Sequence, residues 1–261
     1  MTARFLILFL LFPQIISYSD GDDFCLLRNH VFQKGELLKF KVYYSLAGMY
    51  FSGGEASFSV EQETFKNNEV YHIVGSGKTN HFVDNSFKVR DRYETYIDTG
   101  TLRPYKFVRD VHEGKTNIYE NVSFIRPANT AITEKGVYVV PECINDVLSA
   151  IYTARNLDFN HLKTDEKVPF KMFLDNHVYS LYIRYLGKEV IRTRYGRMNA
   201  IKFKPLLISG TIFSGGEKMT VWISDDSNHV PLRLESPITV GKVVVELLDT
   251  MNLRYPFNRG N

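Results

Sequence analysis

The chain is poor in the residues that mark specialised scaffolds. Tryptophan occurs once and cysteine twice in 261 residues, which excludes a disulfide-dense framework. An excess of one charge is missing as well: 32 basic against 29 acidic side chains leave a formal charge of +3, so nothing marks the chain for nucleic acid. With 44% hydrophobic residues it is neither disordered nor collagen-like.

Catalytic and metal-binding signatures are also lacking. There is no Gly-x-Ser-x-Gly elbow and no His-Glu-x-x-His pair, and the histidines at 30, 72, 81, 112, 161, 177 and 229 stand in no recognised ligand spacing. Gly75-Ser76-Gly77-Lys78-Thr79 matches the end of a phosphate-binding loop, but His72 occupies the position of its first glycine. The string reads instead as a glycine-containing strand or turn. Asp84, Asp91, Glu94, Asp225 and Asp226 offer carboxylates without a pattern that selects two of them, and Asp225-Asp226 reads as a turn cap. The expectation is a non-enzymatic protein with no catalytic residue, cofactor or metal site.

Long hydrophobic runs are confined to the start of the chain. Arg4 precedes an apolar stretch from Phe5 to Phe12, followed by Pro13 and the small residues Ser17 and Ser19. Residues 1–19 therefore read as a secretory signal peptide with cleavage before Asp20, too short in its apolar part to span a bilayer. Cys25 follows Asp22-Asp23-Phe24 and not a lipoprotein cleavage box. In an exported chain an even cysteine count invites a disulfide, so Cys25 and Cys143 are expected to pair.

What is abundant is period-two alternation with aromatics, 16 Tyr and 19 Phe. Leu38, Phe40, Val42 and Tyr44 share one strand face, Ala56, Phe58 and Val60 another, and Phe87, Val89, Asp91, Tyr93, Thr95 and Ile97 a third. Later strands are expected over residues 178–186, 200–204, 219–224 and 242–248. Lys66-Asn67-Asn68-Glu69, Asp98-Thr99-Gly100, His112-Glu113-Gly114-Lys115 and Leu186-Gly187-Lys188 are hairpin candidates. One segment differs: Ile144, Val147, Leu148 and Ile151 recur at helical offsets beside Ala150 and Ala154. This predicts a helix over about 143–156 with that stripe against a sheet, followed by a linker over 158–167.

Two fragments echo each other. Tyr96-Ile97-Asp98 with Leu102 and Pro104 parallels Trp222-Ile223-Ser224-Asp225 with Val230 and Pro231, as a duplication or as two similar strand-turn-strand units would give. The identical pentapeptides at 51–55 and 213–217 read as two glycine turns. The fold expected is mainly β: two related antiparallel sheets or half-barrels joined through one central helix, with an N-terminal half at 20–157 and a C-terminal half at 158–261.

The ordered set Gly35-Glu36-Leu37-Leu38, Phe40-Lys41-Val42-Tyr43-Tyr44, Gly54-Glu55-Ala56, Val89-Arg90-Asp91, Tyr96-Ile97-Asp98 with Pro104, Asn145-Asp146-Val147-Leu148-Ser149-Ala150 with Tyr152 and Arg155, and Trp222-Ile223-Ser224-Asp225-Asp226 with Val230-Pro231-Leu232-Arg233 resembles the domain of unknown function 3108 family of exported bacterial proteins. The resemblance implies a cell-envelope protein of Gram-negative bacteria. The Trp-Ile-Ser-Asp turn is also similar to that of periplasmic lipoprotein carriers of the LolA and LolB type, open β half-barrels with an apolar concavity. The reading that follows is a periplasmic or outer-membrane-associated protein binding an apolar or amphipathic ligand, lipid or lipoprotein. The alternatives are an envelope assembly partner, whose aromatics only build its core, and a carboxylate-based glycan hydrolase. If the export reading holds, N-terminal sequencing of protein released by osmotic shock will begin at Asp20; an intact N-terminus held in the inner membrane would refute it.

Overall fold

The computed structural model describes residues 23–209, 215–238 and 241–257, so the apolar N-terminal run and its cleavage site lie outside the described residues. A short helix α1 (Asp23–Leu26) is the first element of the described residues. A meander follows through β1 (Leu37–Leu46), β2 (Met49–Phe65), β3 (Asn68–Thr79), β4 (Val89–Asp98), β5 (Pro104–Glu113), β6 (Thr116–Ile125), β7 (Thr130–Thr133) and β8 (Gly136–Val139), with α2 (His81–Asp84) between β3 and β4. Next come β9 (Ile144–Asn145) and α3 (Val147–Ala154). A second meander runs through β10 (Lys167–Leu174), β11 (His177–Thr193), β12 (Gly196–Pro205), β13 (Thr220–Ser224), β14 (Pro231–Pro237) and β15 (Lys242–Met251).

These fifteen strands of the described residues form one sheet rather than the two expected. The physical reason is that β1 is paired on both sides, with β2 and with β15, so the second meander continues the first. All neighbours are antiparallel except β9 and β10. The two edges, β8 and β9, are linked by residues 140–143 alone, a reach of at most about 18 Å from Val139 to Ile144. A flat sheet of this width cannot satisfy that tether. The sheet rolls, and its margins meet through side chains: Phe173 packs its ring against Phe124 and Tyr138 at centroid distances of 6.2 and 5.6 Å, and Thr133 Oγ1 donates to Asn176 Oδ1 at 2.8 Å.

The two meanders repeat each other in detail. The ladder shifts register between Tyr96 and Ile97, after which Ile97 faces Pro104; it shifts again between Trp222 and Ile223, after which Ile223 faces Pro231. Asp98 N–H donates to Arg103 O and Ser224 N–H to Val230 O, and Leu102 and His229, two residues before each proline, both have left-handed backbone. At the entry of each unit, Gly35 N–H and Asp165 N–H donate to Val60 O and Tyr185 O. The return bonds run from Val60 N–H to Glu36 O and from Tyr185 N–H to Glu166 O. β2 and β11 are each 17 residues long. One six-stranded unit therefore occurs twice, as β1–β6 and β10–β15.

Local chemistry sets the joints. Lys66 and Asn67 both adopt positive φ in the two-residue turn between β2 and β3, the mirror-image turn that suits a hairpin. Leu186-Gly187-Lys188 is not a hairpin but a bulge inside β11, where the register shifts and Gly187 takes φ +96°. Residues 51–55 likewise lie within β2 and form no turn. Gly54 is needed there for close approach, since a Cβ would sit 2.2 Å from Lys78 O. The second pentapeptide, 213–217, falls partly outside the described residues.

The helix is shorter than its apolar periodicity predicts. Ile144 and Asn145 are held as a strand by β10, and Asp146 begins the helix as its N-cap. Cys25 and Cys143 are bonded to each other, with Cα atoms 5.3 Å apart and a sequence separation of 118. In the chain-entropy picture a loop of that size stabilises the fold by about 4–5 kcal/mol. Cys143→Ser should accordingly lower the melting temperature by about 10 °C, as read by differential scanning calorimetry; an unchanged transition would mean the bond contributes no constraint.

Candidate functional site

α3 is the element around which both units pack. Asp146 accepts from Leu148 N–H and Ser149 N–H, each at 2.9 Å, while Ser149 Oγ accepts from Asp146 N–H at 2.8 Å, a reciprocal capping box. Asp146 also accepts from Thr95 Oγ1 at 2.6 Å, which fastens the helix start to β4. Burial pushes the Asp146 carboxyl up to about 6 even against these hydrogen bonds. At the other end Arg155 grips Glu36, just before β1, through two bonds of 2.6 and 2.9 Å, and donates to Asn228 O at 3.0 Å. Both charged side chains are almost wholly buried. His229 Nδ1 donates to Arg155 O at 2.5 Å, and burial holds its ring below the usual histidine range.

The helix has four sides, and three are covered. Leu148 and Tyr152 pack with Val60, Ile73 and Ile97 of the first unit. A Cβ at Gly75 would press on Phe58 at 2.8 Å and Leu148 at 3.2 Å, so that glycine makes room for the helix. Ala150 and Ala154 pack with Phe170, Met172, Ile183 and Phe203 of the second unit. From below, the N-terminal segment closes over it, with Phe32 edge-on to Tyr152 and His30 N–H donating to Asn156 Oδ1 at 2.9 Å. Val147 packs against both the second-unit core and the cluster around Phe173, which leaves Ile151 on the remaining side. Ile151 is 36% exposed, contrary to the expected apolar stripe against the sheet, because the buried sides of so short a helix are already filled by Leu148, Tyr152 and the alanines.

Next to Ile151 on the helix, Leu148 meets the inner face of the rolled sheet at Gly75, beside Phe58. Cross-strand partners share a face, so one transverse row can be followed through the ladder: Tyr185, Phe203, Val221, Leu234, Val245, Val42, then Gly54 and Thr79. Tyr185 and Phe203 belong to the helix-packed core, which makes this the inner face. Further along the row Val221, Leu234, Val245 and Val42 keep partial solvent exposure, as does Phe58 above Leu148. The inner wall over β13–β15 and β1 is thus apolar and only partly buried.

Polar groups gather on the same inner face of β4–β6. Burial, and then the Glu113 carboxylate beside it, push Asp91 up to about 7, and burial pushes the neighbouring Tyr93 phenol up to about 12. Arg109 pairs with Glu120 at 3.1 Å and, across the meeting edges, with Asp175. The other acidic residues noted in the sequence have local partners. Asp84 pairs with Arg90 at 2.6 Å, Glu94 with His72 at 2.8 Å, and Asp225 with Lys188 at 2.8 Å; Asp226 accepts from Ser224 Oγ and Asn228 N–H in its turn. Among the described residues no three or more His, Cys, Asp or Glu side chains gather as a metal site. Sequence reasoning missed the Asp91–Glu113 and Glu36–Arg155 pairs. An acid inside the apolar row of β4 was the visible signal for the first.

A rolled, almost wholly antiparallel sheet with one short helix packed against it defines a β-barrel-like protein. By its sequence the chain belongs to the DUF3108 family of proteins of unknown function, whose model matches residues 39–248. No curated protein matches it. Among solved structures it is similar to a β-barrel-like protein of domain of unknown function DUF1849 from Brucella abortus, with TM-score 0.54 and 7% identity over 88% of this chain and 100% of that one. A protein from Bacteroides fragilis described as exported, with a YmcC-like fold, aligns with TM-score 0.40 and 11% identity over 87% and 100% of the two chains. One from Parabacteroides distasonis described as a lipoprotein aligns with 0.37 and 15% over 86% and 100%. These likenesses concern the fold alone. No helix among the described residues is long and apolar enough to cross a membrane.

The raised Asp91 has a consequence for stability. Between the unfolded value near 4 and the folded value of about 7, the folded chain holds a proton that the unfolded chain has released, so this group's contribution falls as pH rises through that window. Asp91→Asn should raise the melting temperature at pH 8 and flatten its decline between pH 5 and pH 8; an unaltered slope would show that Asp91 ionises normally.

Proposed function

We propose that the protein is an exported envelope component that binds, without chemistry, an apolar or amphipathic molecule such as a lipid or the acyl chain of a lipoprotein, against the inner wall above α3. The observation that carries this reading is the partial exposure of Phe58, Val221, Leu234 and Val245 on the inner face of the sheet, together with the exposed Ile151 on the helix that packs there. Apolar area left wet inside a concave surface gains about 25 cal/mol per Å² when a ligand covers it. The N-terminal apolar run supports export. A glycan-hydrolase reading would need two facing carboxyls with room for a sugar, whereas Asp84, Glu94 and Asp225 are engaged by Arg90, His72 and Lys188 respectively.

Native mass spectrometry of the protein purified from its own envelope tests the proposal. A co-purifying lipid mass is expected, and Ile151→Glu should weaken lipid binding at least about tenfold, or 1.4 kcal/mol, while leaving the melting temperature nearly unchanged. A lipid-free protein that also fails to take up a fluorescent fatty acid would overturn it.

A further inference from the structure

One end of the roll carries a surface that the inner wall does not explain. There the β1–β2 hairpin ends in Leu46-Ala47-Gly48-Met49-Tyr50-Phe51, and α2 sits directly beside it: Asn80 N–H donates to Gly53 O at 2.9 Å and Asn80 Nδ2 to Ser52 O at 2.5 Å. The β5–β6 turn completes the rim, with Gly114 N–H donating to Lys88 O at 2.8 Å and the Phe87 ring lying against Gly114. Met49 is 59% exposed, Tyr50 50%, Phe51 46% and Phe82 81%, with Leu46 and Phe87 also exposed. Six large apolar side chains thus project into solvent along one rim.

Hairpin geometry does not require them. The equivalent tip of the second unit, between β10 and β11, is Asp175-Asn176 followed by His177, and it is spent on bonds to Arg109 and Thr133 across the meeting edges. The charge on the rim is equally one-sided. Segments 46–53, 80–88 and 114–116 contain Lys88, Lys115 and His81 against a single carboxylate, Asp84, which Arg90 already pairs. Apolar and aromatic residues interspersed with exposed lysines match the two components of an anionic bilayer surface, acyl chains and phosphate headgroups.

We infer that this rim docks on an anionic phospholipid surface, with Met49, Tyr50, Phe51 and Phe82 entering the interface and Lys88 and Lys115 meeting the headgroup phosphates. The inference stands on the rim alone, but if the inner wall holds a lipid, docking would place its open end against the membrane that supplies or receives it. Two independent steps are then separable by mutation.

Flotation of the mature protein with phosphatidylglycerol–phosphatidylcholine vesicles, and with phosphatidylcholine vesicles, tests it. Binding to the mixed vesicles at least about tenfold tighter than to the neutral ones is expected, since each lysine near an anionic surface contributes about fivefold. Met49→Ser combined with Phe82→Ser should weaken binding tenfold or more with the melting temperature kept, because both side chains are exposed, and Lys88→Glu with Lys115→Glu should abolish the anionic preference. Ile151→Glu, which tests the inner wall, should bind vesicles as the wild type does. No wild-type binding, equal binding to both vesicles, or rim variants that float like the wild type would each overturn the inference, and capture of a protein partner by a rim that ignores vesicles would do the same.

Discussion

The buried pair of Glu36 and Arg155 is the constraint on which the arrangement depends. Burial works against the arginine's charge, yet the adjoining carboxylate more than offsets this and holds its pKa above the usual value. Removing one member of such a pair leaves an unpaired charge in the interior, at a cost of about 3–5 kcal/mol. The location matters more than the energy. Glu36 stands at the foot of the central strand, Arg155 at the end of the helix and Asn228 in the β13–β14 turn, so one guanidinium registers the sheet centre, the helix and the second unit against each other. The rings of Tyr152 and Phe32, 5.0 and 5.7 Å from that guanidinium, exclude water from it.

The duplication explains both the closure of the roll and its imperfection. The last strand of the second unit, β15, pairs with the first strand of the first, β1. A twofold relation would pair β6 with β10 in the same way. Instead β7 and β8 extend the first unit, and the two-residue β9 occupies the free edge of β10. The second junction is therefore made of side chains: Phe124, Tyr138 and Phe173, the Arg109–Asp175 pair and, near its base, the disulfide. One junction of the roll is thus hydrogen-bonded strand to strand, and the other is packed side chain to side chain.

Much of this architecture was legible from periodicity. The alternation of β1, β2 and β4 and the turns at Lys66-Asn67 and Gly114-Lys115 are local features, set by side chains near in sequence. The echo of Tyr96-Ile97 in Trp222-Ile223 carried the duplication, because a bulge before a strand-opening proline constrains residue types at both ends. Hidden features were the non-local ones. Nothing in period two says that β1 pairs with β15, which merges two expected sheets into one. Helical periodicity could not tell that Ile144 belongs to a strand and Ile151 to an exposed side, since both fit the same apolar stripe. The inner wall escaped detection for a related reason: Val221, Leu234 and Val245 have the pattern of core residues, and only the roll decides which of them water reaches.

The central position of β1 has a consequence for how the chain reaches its native state. Strands β1–β8 can pair with sequence neighbours as soon as they emerge, but the outer edge of β1 acquires its partner only with β15, some 200 residues later. Until then the first unit presents Leu37–Leu46 as an unprotected strand edge, open to pairing with another chain. The longest-range pairing among the described strands can therefore form only once the fifteenth strand has been made, and topology of this kind makes folding slow in comparison with local hairpin formation. A chain of this topology leaves the outer edge of β1 open to its copies for the interval between the first strand and the fifteenth.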